Sequence, residues 1–171
     1  MGRLSNDSFI WRELQGGLWH TTHPSYFQRI LTLGAILPEP DIPESNRWKT
    51  SRGPDYHSYV RTIGGVSLFD FDGFQPEKYN KKYPLSNWEY FVPYRKDWQS
   101  AVWIEINRAQ VADRFISSTE LVERWKAKAA FHHSIMPYIE AAYLGELKRS
   151  AFIRAFIVEA GKELCLSVPS E

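Results

Sequence analysis

The chain has 171 residues, 43% hydrophobic and 24% charged, which suits one domain (1–171) with its own core. A net charge of +1 neither demands nor excludes a nucleic-acid partner, and a single cysteine, Cys165, excludes an internal disulfide and Cys-rich metal spacings. The N-terminal residues lack a signal peptide's apolar run and no stretch reaches membrane-spanning length, so the expectation is a soluble, cytoplasmic protein with no membrane partner.

Gly16-Gly17 punctuates the start, and Leu18-Trp19-His20-Thr21 follows as a short strand. Pro24 suits the first turn of a helix that Thr22 or His23 can cap. Phe27, Ile30 and Leu31 give that helix one apolar face, and Gly34 is placed to end it in a left-handed cap. Residues 38–62 are broken by Pro38, Pro40, Pro43, Gly53 and Pro54. Arg47, Lys49, Arg52 and Arg61 are interleaved there with Trp48, Tyr56 and Tyr59, the composition of a functional loop.

Gly64-Gly65 leads into a strand through Phe71, and Asp72-Gly73 is a turn. Asp70 and Asp72 read as turn acids, because no third metal ligand lies nearby. Residues 74–99 read as a polar, aromatic loop packed on its own rings. Ala101–Ile106 is the next strand. Ser117 with Glu120 three residues on forms a capping box. His132-His133 read as a solvated helix end rather than a metal site, since adjacent helical side chains face different ways. Tyr138-Ile139-Glu140-Ala141-Ala142 reads as a strand ending at a Gly145 turn, with Tyr138, Glu140 and Ala142 on one face. Glu146 reads as a solvated loop acid. Residues 152–158 and 163–168 read as two more strands.

A carboxylate in an apolar strand is costly to bury unless something satisfies it. Glu140 is therefore a solvated edge residue or a working acid. The stretch Leu18-Trp19-His20-Thr21-Thr22-His23, its helix and the Gly34 stop, together with the Glu140 strand, resembles ADP-ribosyltransferase-fold proteins. It is most similar to the branch of DNA-targeting ADP-ribosyltransferase toxins and, more distantly, to RNA 2′-phosphotransferases.

The resemblance implies an α+β fold with a split, mostly antiparallel sheet, flanking helices and an NAD-sized cleft. It implies NAD as substrate, a nucleic-acid acceptor (DNA or RNA) and an antitoxin protein as partner. Glu140 is then the catalytic carboxylate that steadies the positive charge developing on the ribose. His20, Thr21, Thr22 and Ser67 are cofactor-binding. Phe69, Phe71 or Tyr138 flanks the nicotinamide. Arg52, the first choice, or Arg61 meets the pyrophosphate through its fork, and Arg52 shares the catalytic role. No metal is implied. Val66-Ser67-Leu68 carries one serine where arginine-modifying transferases have Ser-Thr-Ser, and position 138 is Tyr where their acceptor-selecting acid pair would begin. Two alternatives remain: an NAD glycohydrolase or RNA 2′-phosphotransferase-like enzyme on the same fold, and a non-catalytic binding domain with a structural Glu140.

Overall fold

Pro24 begins the first long helix because its missing N–H is unneeded there, and the His23 side chain caps it by accepting from the Ser25 N–H. Gly34 ends it at φ 71°, a left-handed conformation that glycine adopts without steric cost. This computed structural model describes residues 10–48, 53, 55–160 and, in backbone, 9 and 162–168. In chain order the elements are α1 (Phe9–Leu14), β1 (Leu18–Thr22), α2 (Pro24–Leu33), β2 (Ala35–Ile36), α3 (Tyr59–Thr62), β3 (Gly65–Asp70), α4 (Pro76–Lys82) and α5 (Trp88–Phe91). Then follow β4 (Ser100–Ile106), α6 (Arg108–Val111), β5 (Phe115–Ile116), α7 (Ser118–Ala127), β6 (Glu140–Leu144), β7 (Leu147–Lys148), β8 (Phe152–Glu159) and β9 (Lys162–Val168).

The fold is mixed α+β. Seven described strands form one sheet in the order β5-β6-β3-β1-β4-β8-β9, every neighbouring pair antiparallel. Strands β2 and β7 make a separate pair. Alternation along the strands sends Leu18, Leu68, Val102, Ile104 and Ala141 to one face, where α2 adds Phe27 and Ile30. Trp19, Phe69, Phe71, Trp103 and Phe156 go to the other, where α1, α4 and α5 add Trp11, Leu14, Tyr79 and Trp88. The second face is a cluster of edge-on and tilted rings, such as Trp19 on Phe156 at 5.3 Å and Trp11 on Phe71 at 5.2 Å. Each large apolar side chain fully buried there contributes roughly 1.5–3 kcal/mol.

The sheet's irregularity lies at its centre. Strands β1 and β3 pair only through Leu18 with Asp70 and Trp19 with Phe69. Yet β1 stays paired with β4 as far as Thr22, and β3 with β6 as far as Gly65. Beyond Trp19 and Phe69 the two halves of the sheet therefore diverge.

Several sequence expectations need correction. Residues 74–99 are not a loop throughout: they contain α4 and α5, and Tyr79 and Trp88 are buried in the aromatic core. The strand bearing Glu140 begins at Glu140 itself, because Tyr138 lies in a preceding turn at φ 58°. Residues 38–62 include α3, which packs Tyr59 and Val60 against Ile116, Leu121 and Ala142. Among the described residues no helix is long and apolar enough to cross a membrane.

Candidate active site in the sheet split

The divergence of β1 and β3 opens a cavity of about 560 Å³. That is within the roughly 300–1,000 Å³ usual for small-molecule sites. Its lining includes Ile30 and Val66 from one sheet face and Phe69 and Glu140 from the other, so it runs through the split. Gly65 belongs to its wall, where a Cβ would sit 2.9 Å from the Val60 side chain and 3.3 Å from the Val60 carbonyl oxygen. Only glycine lets α3 lie this close to β3.

Glu140 is 3% exposed. It stands opposite Phe69 in the β3–β6 ladder, and Ser67 is its diagonal neighbour on the same face. The Ser67 hydroxyl donates to Oε1 at 2.7 Å, and the Met136 N–H donates to Oε2 at 2.9 Å. Burial pushes the Glu140 carboxyl above its ordinary value, and these two neutral donors only partly offset that. A carboxylate has about four acceptor sites, so two remain for a ligand.

His20 occupies the split itself. Its Nδ1 lies 3.1 Å from the Ser67 carbonyl oxygen. A carbonyl only accepts, so Nδ1 carries the proton and a neutral ring leaves Nε2 as an acceptor. Burial pulls the His20 pKa down, although the bond to Ser67 works the other way. His20, Ser67 and Glu140 thus form one hydrogen-bonded series across β1, β3 and β6. Beside them Thr21 Oγ1 is buried without a hydrogen-bond partner among the described residues. An unsatisfied buried hydroxyl is costly, and a bound polar group would satisfy it.

Of the residues singled out by sequence, His20, Thr21, Thr22, Arg61, Ser67, Phe69 and Glu140 all line the cavity. Phe71 does not: it is 0% exposed within the aromatic core, stacked 5.6 Å from Phe69. Tyr138 does not either, because the turn carries it outward, 39% exposed, with its ring 5.5 Å from Tyr83. Arg52 lies outside the described residues. Arg61 reaches the cavity with its fork already engaged. Its Nε and one terminal nitrogen donate to Glu39, and both terminal nitrogens donate to Glu44 at 2.8–3.1 Å. Those carboxylates hold the Arg61 pKa above its ordinary value. Arg47 joins the same network through Glu39 and Glu44.

Sequence reading did not assign Glu39 and Glu44, two acids set among prolines ahead of Arg47. It reads the stretch of Arg47, Trp48, Lys49 and Arg52 as a wall that closes on phosphate, and Trp48 does line the cavity; it does not place Phe91, on which Trp48 packs at 4.9 Å, or Met136 there. Phe91 is legible only as an aromatic within a long irregular stretch. Among the described residues, no group of three or more His, Cys, Asp or Glu side chains is arranged to hold a metal ion. Comparison with protein-family models, with curated proteins and with solved structures finds no match for this chain.

Proposed function

We propose that the cavity binds NAD and that the protein transfers its ADP-ribosyl group, with nucleic acid as the acceptor. The observation that carries this reading is Glu140: a desolvated carboxylate, held by two neutral donors, in the wall of a cleft that opens at a sheet split. The fold proposed with it is the ADP-ribosyltransferase fold.

In this reaction the bond between ribose C1′ and the nicotinamide nitrogen breaks. Nicotinamide leaves with the bonding electrons, and an acceptor atom bonds C1′ and gives up a proton. Positive charge develops on the ribose in between, as in glycoside hydrolysis. Glu140 accepts a hydrogen bond from a ribose hydroxyl through a free lone pair and stabilises that charge. Its effect is greater in a dry site than in water. Phe69, opposite Glu140 in the β3–β6 ladder, supplies an aromatic wall for the nicotinamide. His20 Nε2 accepts from a hydroxyl of the other ribose, and Thr21 Oγ1 gains the partner it lacks. Arg61 meets the pyrophosphate only if Glu39 and Glu44 yield it.

A second reading has its own observation. Glu140 Oε2 accepts from the Met136 N–H, and the Glu140 N–H donates back to the Met136 carbonyl at 2.9 Å, so the side chain also staples the turn before β6. In that reading Glu140 is structural and the cavity merely binds. Incubating the purified protein with NAD labelled in its adenylate half separates the readings. Free nicotinamide with label on DNA or RNA supports the transfer. Free nicotinamide with no labelled acceptor makes the protein a glycohydrolase. Label and nicotinamide both absent, with no NAD binding by calorimetry, overturns the proposal.

A further inference from the structure

Three histidines the proposed reaction does not use meet on one side of the cavity. The His132 and His133 ring centres are 4.1 Å apart, and those of His133 and His57 are 4.9 Å apart. Tyr56 lies edge-on to His132 at 6.4 Å. Although adjacent in sequence, His132 and His133 lie in a turn past α7, where the backbone lets both rings approach.

This cluster sits on the seam between two cavity-lining segments. The His57 carbonyl accepts from the Ser134 N–H at 3.3 Å and from His133 Nδ1 at 3.2 Å. The Tyr59 N–H donates to the Ser134 carbonyl at 2.9 Å, completing a parallel bridge between Ser58 and Ser134. Ser58, Val60 and Arg61 on one side of the seam and Ser134, Ile135 and Met136 on the other all line the cavity. The same second segment carries the Met136 N–H that holds Glu140. The His133 carbonyl, accepting from Trp125 Nε1 at 3.0 Å, anchors the seam to α7.

We propose that His57, His132 and His133 form an acid-sensitive clasp on this seam, closed while His133 is neutral and opened when it gains a proton. The rings of His132 and His57, tilted 45° and 35° to that of His133, pack closely against it, so a positive charge on His133 is poorly solvated and faces two further basic groups. Burial and the neighbouring His132 and His57 hold the His133 pKa below its ordinary value, against the pull of the His57 carbonyl. A histidine with a depressed folded pKa stabilises the closed form above its unfolded value of about 6.5. That contribution is lost as pH falls through the folded value.

Among the described residues Glu44 is the acid coupled to His57, and its carboxylate is already met by Arg61, which holds Glu44 below the usual carboxylate range. Opening would part Ser58 from Ser134 and loosen the Met136 N–H from Glu140. Acid would thus widen the cavity whatever it binds.

Amide hydrogen exchange on the full chain, with no ligand added, tests the clasp. Protection factors correct for the intrinsic pH dependence of exchange. Those of the Tyr59 and Ser134 amides should fall about tenfold or more from about pH 7.5 to about pH 5.5, while the Val102 and Ile104 amides in β4 keep theirs. In the double variant H57Q/H132Q, which leaves His133 and its bond to the His57 carbonyl, the fall should vanish. If the double variant does not fold, His132→Gln alone should reduce the fall. No fall in the native protein overturns the clasp. So does a fall shared with β4, or an undiminished fall in the folded variants. Because NAD is absent, failure here leaves the ADP-ribosyl transfer reading intact, and the converse also holds.

Discussion

The Ser67 hydroxyl reaches diagonally across the β3–β6 ladder to Glu140 Oε1 at 2.7 Å, one of two donors that keep a buried carboxylate tolerable. Ser67→Ala removes that donor without crowding the site. A hydrogen bond to a charged group contributes about 1.5–3 kcal/mol, so the variant should be destabilised by about that much where Glu140 is ionised, and much less in acid. Its Glu140 should also take up a proton at higher pH than in the native protein, because the Ser67 bond lowers that pKa. Denaturant unfolding at several pH values checks this. Equal losses at acid and neutral pH would show that Ser67 acts without the Glu140 charge.

Glu140 gives a second pH signature. Its folded pKa is raised by burial, so its contribution to stability is fully present below the unfolded carboxyl value of about 4.3. That contribution is lost as pH rises through the folded value. Glu140→Gln stays neutral and does not lose it. The stability of Glu140→Gln relative to native should therefore climb with pH above about 4.3 and then level off. Thermal melts across that range measure it. A native protein that gains on the variant as pH rises would contradict the buried, neutral-donor environment.

The parts of this site legible in the sequence are those with local causes. Pro24, His23 and Gly34 mark both ends of α2, and Ser117 caps α7 by accepting from the Glu120 N–H, because capping is chemistry within a few residues. The aromatic stretch 74–99 hid α4 and α5 because seven and four residues are too short to show a helical period. Their helicity is stabilised by packing Tyr79 and Trp88 into the core. Tyr138 falls outside the strand because alternation does not run back through the turn before β6, whose positive φ the sequence does not announce. The split between β1 and β3 is a matter of register between strands distant in the chain, and no local pattern encodes it.

His20 can be dissected by the shape of its replacement. Asparagine places an amide nitrogen near the position of Nδ1 and nothing at Nε2. His20→Asn should keep the bond to the Ser67 carbonyl and the native melt, yet bind NAD about tenfold or more weakly, the loss of one well-placed polar contact. His20→Ala should lose stability as well, because the Ser67 carbonyl is left unpaired. Unchanged NAD affinity by calorimetry in a folded His20→Asn protein would remove His20 from the ligand site.

Arg61 ties the segment carrying Glu39 and Glu44 to α3 at the cavity rim. Exposed ion pairs are individually weak, but four bonds from one fork act together. Arg61→Met should raise the rate of cutting by a glutamyl endopeptidase after Glu39 and Glu44 by about fivefold, and high salt should do part of the same to the native protein. Identical digestion rates would mean the segment is held by its apolar contacts alone.

The charge on Glu140 can be tested with almost no change of shape. Glu140→Gln keeps the side chain's size and most of its hydrogen bonding while removing the negative charge. Loss of one preorganised electrostatic group typically costs about a hundredfold or more in turnover. Binding should survive, since the effect belongs to the transition state. The measurement is nicotinamide release from saturating NAD by the native and Glu140→Gln proteins, each shown folded by its melt and NAD-bound by calorimetry. The expected result is release by the native protein and a rate lower by about two orders of magnitude in the variant. Equal rates, or no release by a native protein that binds NAD, would contradict it and leave Glu140 as the staple of the turn before β6.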